Sequence, residues 1–255
     1  MSKILILARD GDSTKILFHR LSLKYELNVV IENSLSKRIF YKRRIKKMGV
    51  FLVTGQILFM IFTKLFLKHF SKSMIKSINQ KNNFKNDVIP NDKIRFVNSI
   101  NSEHAREIIK NSDADFIVVS GTRIICKKTL ECTQKKFLNI HAGITPSYRG
   151  VHGGYWALVN NEPELCGVTL HYLDEGVDTG SIIGHKLIVP SKKDNFLVYP
   201  LLQLAEGLKM LEMYLNSNTE LNKITTFQGK PLSSKQYYHP TLWEYLYYRL
   251  TKGIK

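Results

Sequence analysis

The chain has 255 residues, 44% of them hydrophobic and 23% charged, enough for one large domain or a domain with an appendage but too little for two full catalytic domains. Mean hydropathy lies near zero, and neither a polar low-complexity tract nor an internal repeat is present, which excludes disordered and repeat classes. The formal charge of +17 is concentrated between Ser36 and Asn86, where thirteen Lys or Arg occur with no Asp or Glu; such a block suits nucleic acid, an anionic membrane face or a phosphate-bearing substrate, and equally a solvated face.

In chain order, Lys3-Ile4-Leu5-Ile6-Leu7-Ala8 is a continuous apolar run that predicts a buried strand, opening into the polar loop Arg9-Asp10-Gly11-Asp12-Ser13 ahead of a helix. That loop lacks GxGxxG, so the dinucleotide fingerprint is absent. Leu27 to Ile31 predicts the next strand. The run Met48 to Thr63 is apolar, but its sixteen residues are short for a membrane span. With Lys37, Arg38, Lys42, Arg43, Arg44, Lys46 and Lys47 before it and Lys64, Lys68, Lys72 and Lys76 after it, the run reads either as an interfacial amphipathic helix or as a core or dimer helix. Strands are predicted at Ile94 to Val97, Phe116 to Val119 and Phe137 to Ile140, with helical or loop stretches between them, for example Glu103 to Asn111. Alternation of strands and helices predicts an α/β fold with a parallel sheet and ligands at the carboxyl ends of the strands. After Asp194, read as an N-cap, the apolar positions Phe196 to Leu215 carry helical spacing, with Pro200 displacing the start. The tail holds a hairpin-like turn at Thr225 to Pro231 and the aromatics Tyr237, Tyr238, Trp243, Tyr245, Tyr247 and Tyr248, suited to packing an extension onto the core or to stacking on a base.

Cys126, Cys132 and Cys166 are too few and too irregular for a disulfide framework or a zinc site. Met1-Ser2-Lys3 runs straight into the first strand without a signal-peptide span. Together these point to the cytoplasm, with a peripheral seat at the inner membrane face if the basic block meets lipid.

Chemistry concentrates in Asn139-Ile140-His141-Ala142-Gly143-Ile144-Thr145-Pro146-Ser147-Tyr148-Arg149-Gly150 and Asp174-Glu175-Gly176-Val177-Asp178-Thr179-Gly180. An amide, an imidazole and a carboxylate are what acyl transfer to an amine requires: donors for a tetrahedral oxyanion and an acceptor for the amine's proton. On a strand, Asn139 and His141 share one face while Leu138 and Ile140 turn to the core. Asp178 would then orient the imidazole and draw off the proton. Singly, Asn139 fits a turn residue, His141 a satisfied core histidine and Asp178 an Asx turn; the joint pattern carries the signal.

The paired motif resembles the folate-dependent formyltransferase family, which includes methionyl-tRNA formyltransferase, glycinamide ribonucleotide formyltransferase and nucleotide-sugar N-formyltransferases. The resemblance covers Asp115 to about Pro190 closely and the first strand loosely. It implies a Rossmann-like fold with a mostly parallel sheet, a catalytic core over 1–190 and a small α+β extension over 191–255. It implies Asn139, His141 and Asp178 as catalytic residues and 10-formyltetrahydrofolate as donor, with no metal. The pterin would be held near Arg123, Ile124 and Ile125 and by the loop Leu173, Asp174, Glu175, Gly176 and Val177. His171 lies near the site by the same resemblance and fits a structural histidine equally well.

Departures from relatives bear on the acceptor. Arg9-Asp10-Gly11-Asp12-Ser13-Thr14 lacks the Gly- and Ser-rich phosphate loop of glycinamide ribonucleotide enzymes. The roughly 65 residues after Pro190 leave little room for the barrel of the tRNA enzymes. Tyr148 to Trp156 resembles members acting on amino sugars of bacterial surface polysaccharides. The expected acceptor is therefore a nucleotide-linked amino sugar, with Arg9, Arg149 and His152 as candidate contacts. The alternatives are another amine (glycinamide ribonucleotide, an amino acid or a lipid-linked amino sugar) and a catalytically idle fold binding nucleic acid or membrane. Nucleic acid is not the expected partner; membrane contact and a homodimer through Phe51 to Phe62 are both compatible with the sequence.

Overall fold

The computed structural model describes residues 1–34, 36–216 and 233–255. Its centre is a seven-stranded sheet. Strand β1 (Lys3–Ala8) leads through α1 (Asp12–Leu21) to β2 (Glu26–Glu32). A helical excursion follows: α2 (Lys37–Met48), then α3 (Val50–Phe62), a π-turn at Thr63–Leu67, and α4 (Lys68–Lys81). The chain returns through β3 (Ile94–Val97), α5 (Glu103–Lys110), β4 (Phe116–Ser120), the short α6 (Lys127–Leu130) and β5 (Phe137–His141). After β6 (Arg149–Gly150) and α7 (Gly153–Val159) come β7 (Gly167–Tyr172), β8 (Ile182–Leu187), α8 (Tyr199–Asn216), β9 (Gln236–Tyr237) and α9 (Leu242–Lys252). The sheet order is β3-β2-β1-β4-β5-β7-β8, and the first five strands run parallel. Only β7 runs against its neighbours β5 and β8. This is the mostly parallel, Rossmann-like architecture expected.

The continuous apolar strands are explained by burial on both faces. Ile4, Ile6 and Ala8 join the layer formed with α1 and α8, while Leu5 and Leu7 face the layer formed with α5, so alternate residues of β1 feed two separate cores. A third cluster joins the C-terminal aromatics to the helical excursion, with Phe59 against Phe196 and Tyr245. Tyr245 is fully buried there, whereas Tyr238 and Tyr247 remain exposed. The tail aromatics thus pack an extension onto the core in part only.

Three boundaries differ from the sequence reading. Asp194 is not an N-cap: its carboxylate accepts from Ser191 N, and Val198 and Tyr199 take their first turn from Asn195 O. Pro200 is the second residue of α8, where no donor is needed. Second, α8 packs on β5, β7 and β8 and sends Leu208, Leu211 and Leu215 into the main core, so the chain after residue 190 is continuous with that core. Third, the apolar run does not stop at Thr63. Val50–Lys81 forms one helix long and apolar enough, by length and composition, to cross a membrane, because the helix continues past Thr63 through the π-turn into α4. The hairpin-like turn expected at Thr225 to Pro231 lies outside the described residues.

Candidate active site

The carboxyl ends of β1, β4 and β5 and the loop after β7 surround a cleft of about 530 Å³, within the range that takes a cofactor-sized ligand. Asn139, His141 and Asp178 all line it. β5 ends on both motif residues; Leu138 turns to the core, and Ile140 packs against Gly207 of α8.

His141 is buried and held at both ring nitrogens. Its Nε2 donates to Tyr148 O at 2.7 Å, and its Nδ1 faces Asp178 Oδ1 at 3.3 Å. Gly143 makes the first contact possible, because a Cβ there would lie 2.3 Å from Tyr148 O and 2.8 Å from His141 Nε2. With Nε2 committed to Tyr148, the chemistry of His141 runs through Nδ1 and not through a free Nε2 donor. Asp178 stands at a left-handed φ of 53°, and its Oδ2 accepts from Gly150 N at 2.8 Å. Gly150, at φ 92°, lies so close to Tyr237 O that any side chain would collide with it.

Asn139 Nδ2 donates to His171 Nε2 at 3.1 Å, while His171 Nδ1 donates to Tyr172 O at 2.7 Å. Burial pushes the His171 ring below its ordinary value, keeping it neutral with an Nε2 lone pair for the amide. His171 thereby fixes Asn139 and leaves the second amide proton free for the cleft. His171 Nε2 also lies 3.9 Å from Asp178 Oδ1, so the polar atoms of all four side chains gather around one point. That gathering places an oxyanion donor beside a proton acceptor, as acyl transfer to an amine requires.

Of the residues that the family resemblance assigned to the pterin, Arg123, Ile124, Ile125, Leu173, Asp174, Gly176 and Val177 line the cleft. Glu175 does not; it pairs with Lys127 at 3.5 Å on the outside of the loop. Arg9 lines the cleft. Arg149 instead clamps the loop after β7 by donating to Val177 O at 3.1 Å. His152 does not line the cleft itself: it lines a neighbouring hollow shared with Arg44 and Val151 and bonds His239, Nε2 to Nδ1 at 2.8 Å, and desolvation pushes it down to about 3.

Sequence reasoning gave no site role to Glu32 or to Arg44 individually. Glu32 at the end of β2 is wholly buried; it pairs with Arg123 and lies 3.5 Å from Arg9 Nε, and it accepts from Ile100 N at 3.0 Å and Arg123 N at 2.8 Å. Its place at a strand's carboxyl end was the available signal. Arg44 of α2 reaches the cleft, its Nε donating to Gln56 Oε1 at 2.9 Å. It has no carboxylate partner among the described residues, and burial depresses its guanidinium. Of the tail aromatics that the sequence marked for packing or base stacking, Tyr237 and Tyr238 close the same cleft with Gln236, since β9 pairs with β6 directly beside it. No cluster of metal-ligating side chains occurs among the described residues.

With the fold and this cleft in view, the chain belongs to the formyl transferase family, whose model matches residues 67–195. Among curated relatives, methionyl-tRNA formyltransferase of Thermodesulfovibrio yellowstonii is 40% identical over 88 residues, 34% of this chain and 28% of that protein. GDP-perosamine N-formyltransferase of Brucella melitensis is 32% identical over 113 residues, 44% of this chain and 43% of that protein. The matched part thus spans less than half the length of either relative. Among solved structures, phosphoribosylglycinamide formyltransferase of Streptococcus pneumoniae aligns at a TM-score of 0.53 and 17% identity, covering 85% of this chain and 98% of that one. A sugar N-formyltransferase from Shewanella aligns at 0.53 and 14% identity, covering 93% and 76%. These two likenesses carry the fold.

Proposed function

We propose that the protein transfers a formyl group from 10-formyltetrahydrofolate to the amine of a nucleotide-linked amino sugar. The observation that carries this reading is the convergence of Asn139, His141 and Asp178 at a cleft lined by Arg123 to Ile125 and by the Leu173 to Val177 loop. The donor's pterin has several ring donors and acceptors, and exposed backbone in the Gly176 loop matches them.

In this mechanism the acceptor nitrogen attacks the formyl carbon, and the developing oxyanion accepts a hydrogen bond from the free Asn139 amide N–H. The proton leaving the attacking nitrogen passes to the His141 Nδ1 and Asp178 pair, which returns it to the folate nitrogen as the tetrahedral centre collapses and the C–N bond to the folate breaks, releasing tetrahydrofolate. His141 is held for this by Tyr148, Asp178 by Gly150, and Asn139 by His171.

The acceptor class rests on the cleft mouth. Arg9 and Arg44 supply two guanidinium groups suited to phosphate, and Tyr237 and Tyr238 supply rings beside them. The relative named for GDP-perosamine agrees with that chemistry. A methionyl-tRNA acceptor is the second reading, favoured by the methionyl-tRNA formyltransferases among the curated relatives. The test is a melting-temperature panel with tetrahydrofolate, GDP-, dTDP- and UDP-linked amino sugars, and aminoacylated tRNA. A ligand at a hundred times its Kd stabilises by about 2.7 kcal/mol. The expected result is stabilisation by the folate and by one sugar nucleotide; stabilisation by the folate and tRNA alone moves the acceptor to the second reading, and no response to folate removes the donor.

A further inference from the structure

The helix Val50–Lys81 is apolar on the wrong side for a soluble protein. Val53, Gln56, Phe59, Leu67 and Ser71 face the body of the molecule, where Phe59 meets Phe196 and Tyr245, Gln56 Nε2 donates to His239 O at 2.7 Å, and Ser71 bonds Asn195. The opposite face repeats at helical spacing through Phe51, Leu58, Ile61 and Leu65, and these side chains are exposed, Phe51 by 72% and Leu65 by 64%. Phe66 and Phe70 extend it at 53% and 71%. An outward apolar stripe of this length marks an interaction surface.

Charge identifies the occupant. Every Lys and Arg from Lys37 to Lys85 is without an ion-pair partner among the described residues, and no acid occurs between Ser36 and Asn86. Lys64, Lys68, Lys72 and Lys76 alternate with the exposed apolar residues along the same helix, and α2 adds Ile39, Phe40 and Ile45 among its own cations. A second copy seated on this face would bring two acid-free cationic blocks together. Insertion across a bilayer would tear Phe59, Gln56 and Ser71 from their partners. An anionic leaflet satisfies both features, taking the apolar stripe into its acyl boundary and the lysines among its phosphates.

We infer that the α2 to α4 face docks the protein peripherally on an anionic phospholipid bilayer, with the helix Val50–Lys81 lying in the interface plane. The inference is independent of which amine the cleft formylates. Because Arg44 of α2 also lines the catalytic cleft, docking would hold the cleft mouth near the membrane surface.

The test is sedimentation of the full chain with phosphatidylglycerol/phosphatidylcholine vesicles against phosphatidylcholine alone. Trp243, which stacks on Phe51 at 4.4 Å between centroids, is a built-in reporter of insertion. We expect binding to anionic vesicles only, weakening as salt rises, with a blue shift in tryptophan emission. K64Q/K68Q/K72Q should weaken binding by roughly fivefold per lysine, and L58S/I61S/L65S by roughly tenfold or more, both with unchanged circular dichroism and unchanged melting. Equal partition onto both vesicle types, or no binding to either, overturns the inference. So does a concentration-dependent dimer that L58S/I61S/L65S dissolves, which assigns the face to a second copy. Salt-sensitive binding to RNA without vesicle binding overturns it as well.

Discussion

Replacing Asp178 by Asn separates the chemistry of the site from its architecture. The Asp178 carboxylate accepts from Gly150 N at 2.8 Å and faces His141 Nδ1 at 3.3 Å. An Asn side chain is nearly isosteric. Its oxygen can still accept from Gly150, and its amide can donate to His141 Nδ1, because the ring's Nε2 already donates to Tyr148 O. Each hydrogen bond therefore has a replacement, and the stability cost should stay within about 1 to 2 kcal/mol. What is lost is the proton acceptor and the negative charge beside Nδ1. General-base contributions run to roughly a hundred- to ten-thousand-fold, so kcat should fall by that factor while folate affinity and melting change little. The assay is formyl transfer under saturating donor, with denaturant unfolding in parallel. Adding His141→Gln to Asp178→Asn should cost little further, because the two act as one unit. Activity of the single variant within a few-fold of the parent, or loss of activity only in step with unfolding, would refute the reasoning.

Asn139→Ala should lower turnover by roughly a hundred- to a thousand-fold with near-normal unfolding, and His171→Phe, which leaves Asn139 without its anchor, should lower kcat with little change in acceptor KM. Glu32→Gln should cost about 1 to 3 kcal/mol by denaturant unfolding, because the buried carboxylate loses its charge-assisted bonds to the part-exposed Arg123 and Arg9, and it should also weaken folate binding through Arg123. His152 and His239 are held neutral by burial, pushed down to about 3 and about 4 from an ordinary value of 6.5. The unfolded chain takes up protons below that ordinary value and the folded chain does not, so stability should fall as pH drops from about 6.5 towards about 4, by about 2 kcal/mol per ring at about pH 5. Unfolding free energies that stay flat over that window would contradict the buried pair.

The sheet was legible because both faces of it are covered: β1, β2, β4 and β5 read as continuous apolar runs, and the strand–helix alternation gave their direction. The edge strand β8, with three exposed residues in six, carries no such run. Asn139, His141 and Asp178 were legible because turn-forming residues bracket them. Arg44 was not, since nothing local to a basic helix says that it folds over a cleft formed some 80 to 130 residues later. His152 misread for the opposite reason: beside Arg149 and Gly150 it looks like a substrate contact, yet its left-handed backbone at the start of α7 turns it inward onto His239. The exposed face of α3 was legible in composition, but which side of the helix would remain uncovered depended on where Phe196 and Tyr245 meet Phe59.

The most direct measurement of the central claim follows an isotopically labelled formyl group from 10-formyltetrahydrofolate in a single turnover with the panel of amino-sugar nucleotides, using the parent chain and Asn139→Ala. The account predicts label on the sugar amine with the parent and its retention on the folate with the variant, although the variant still binds the donor. Label that never reaches an amine, or that reaches it equally well without the Asn139 amide, would contradict the account.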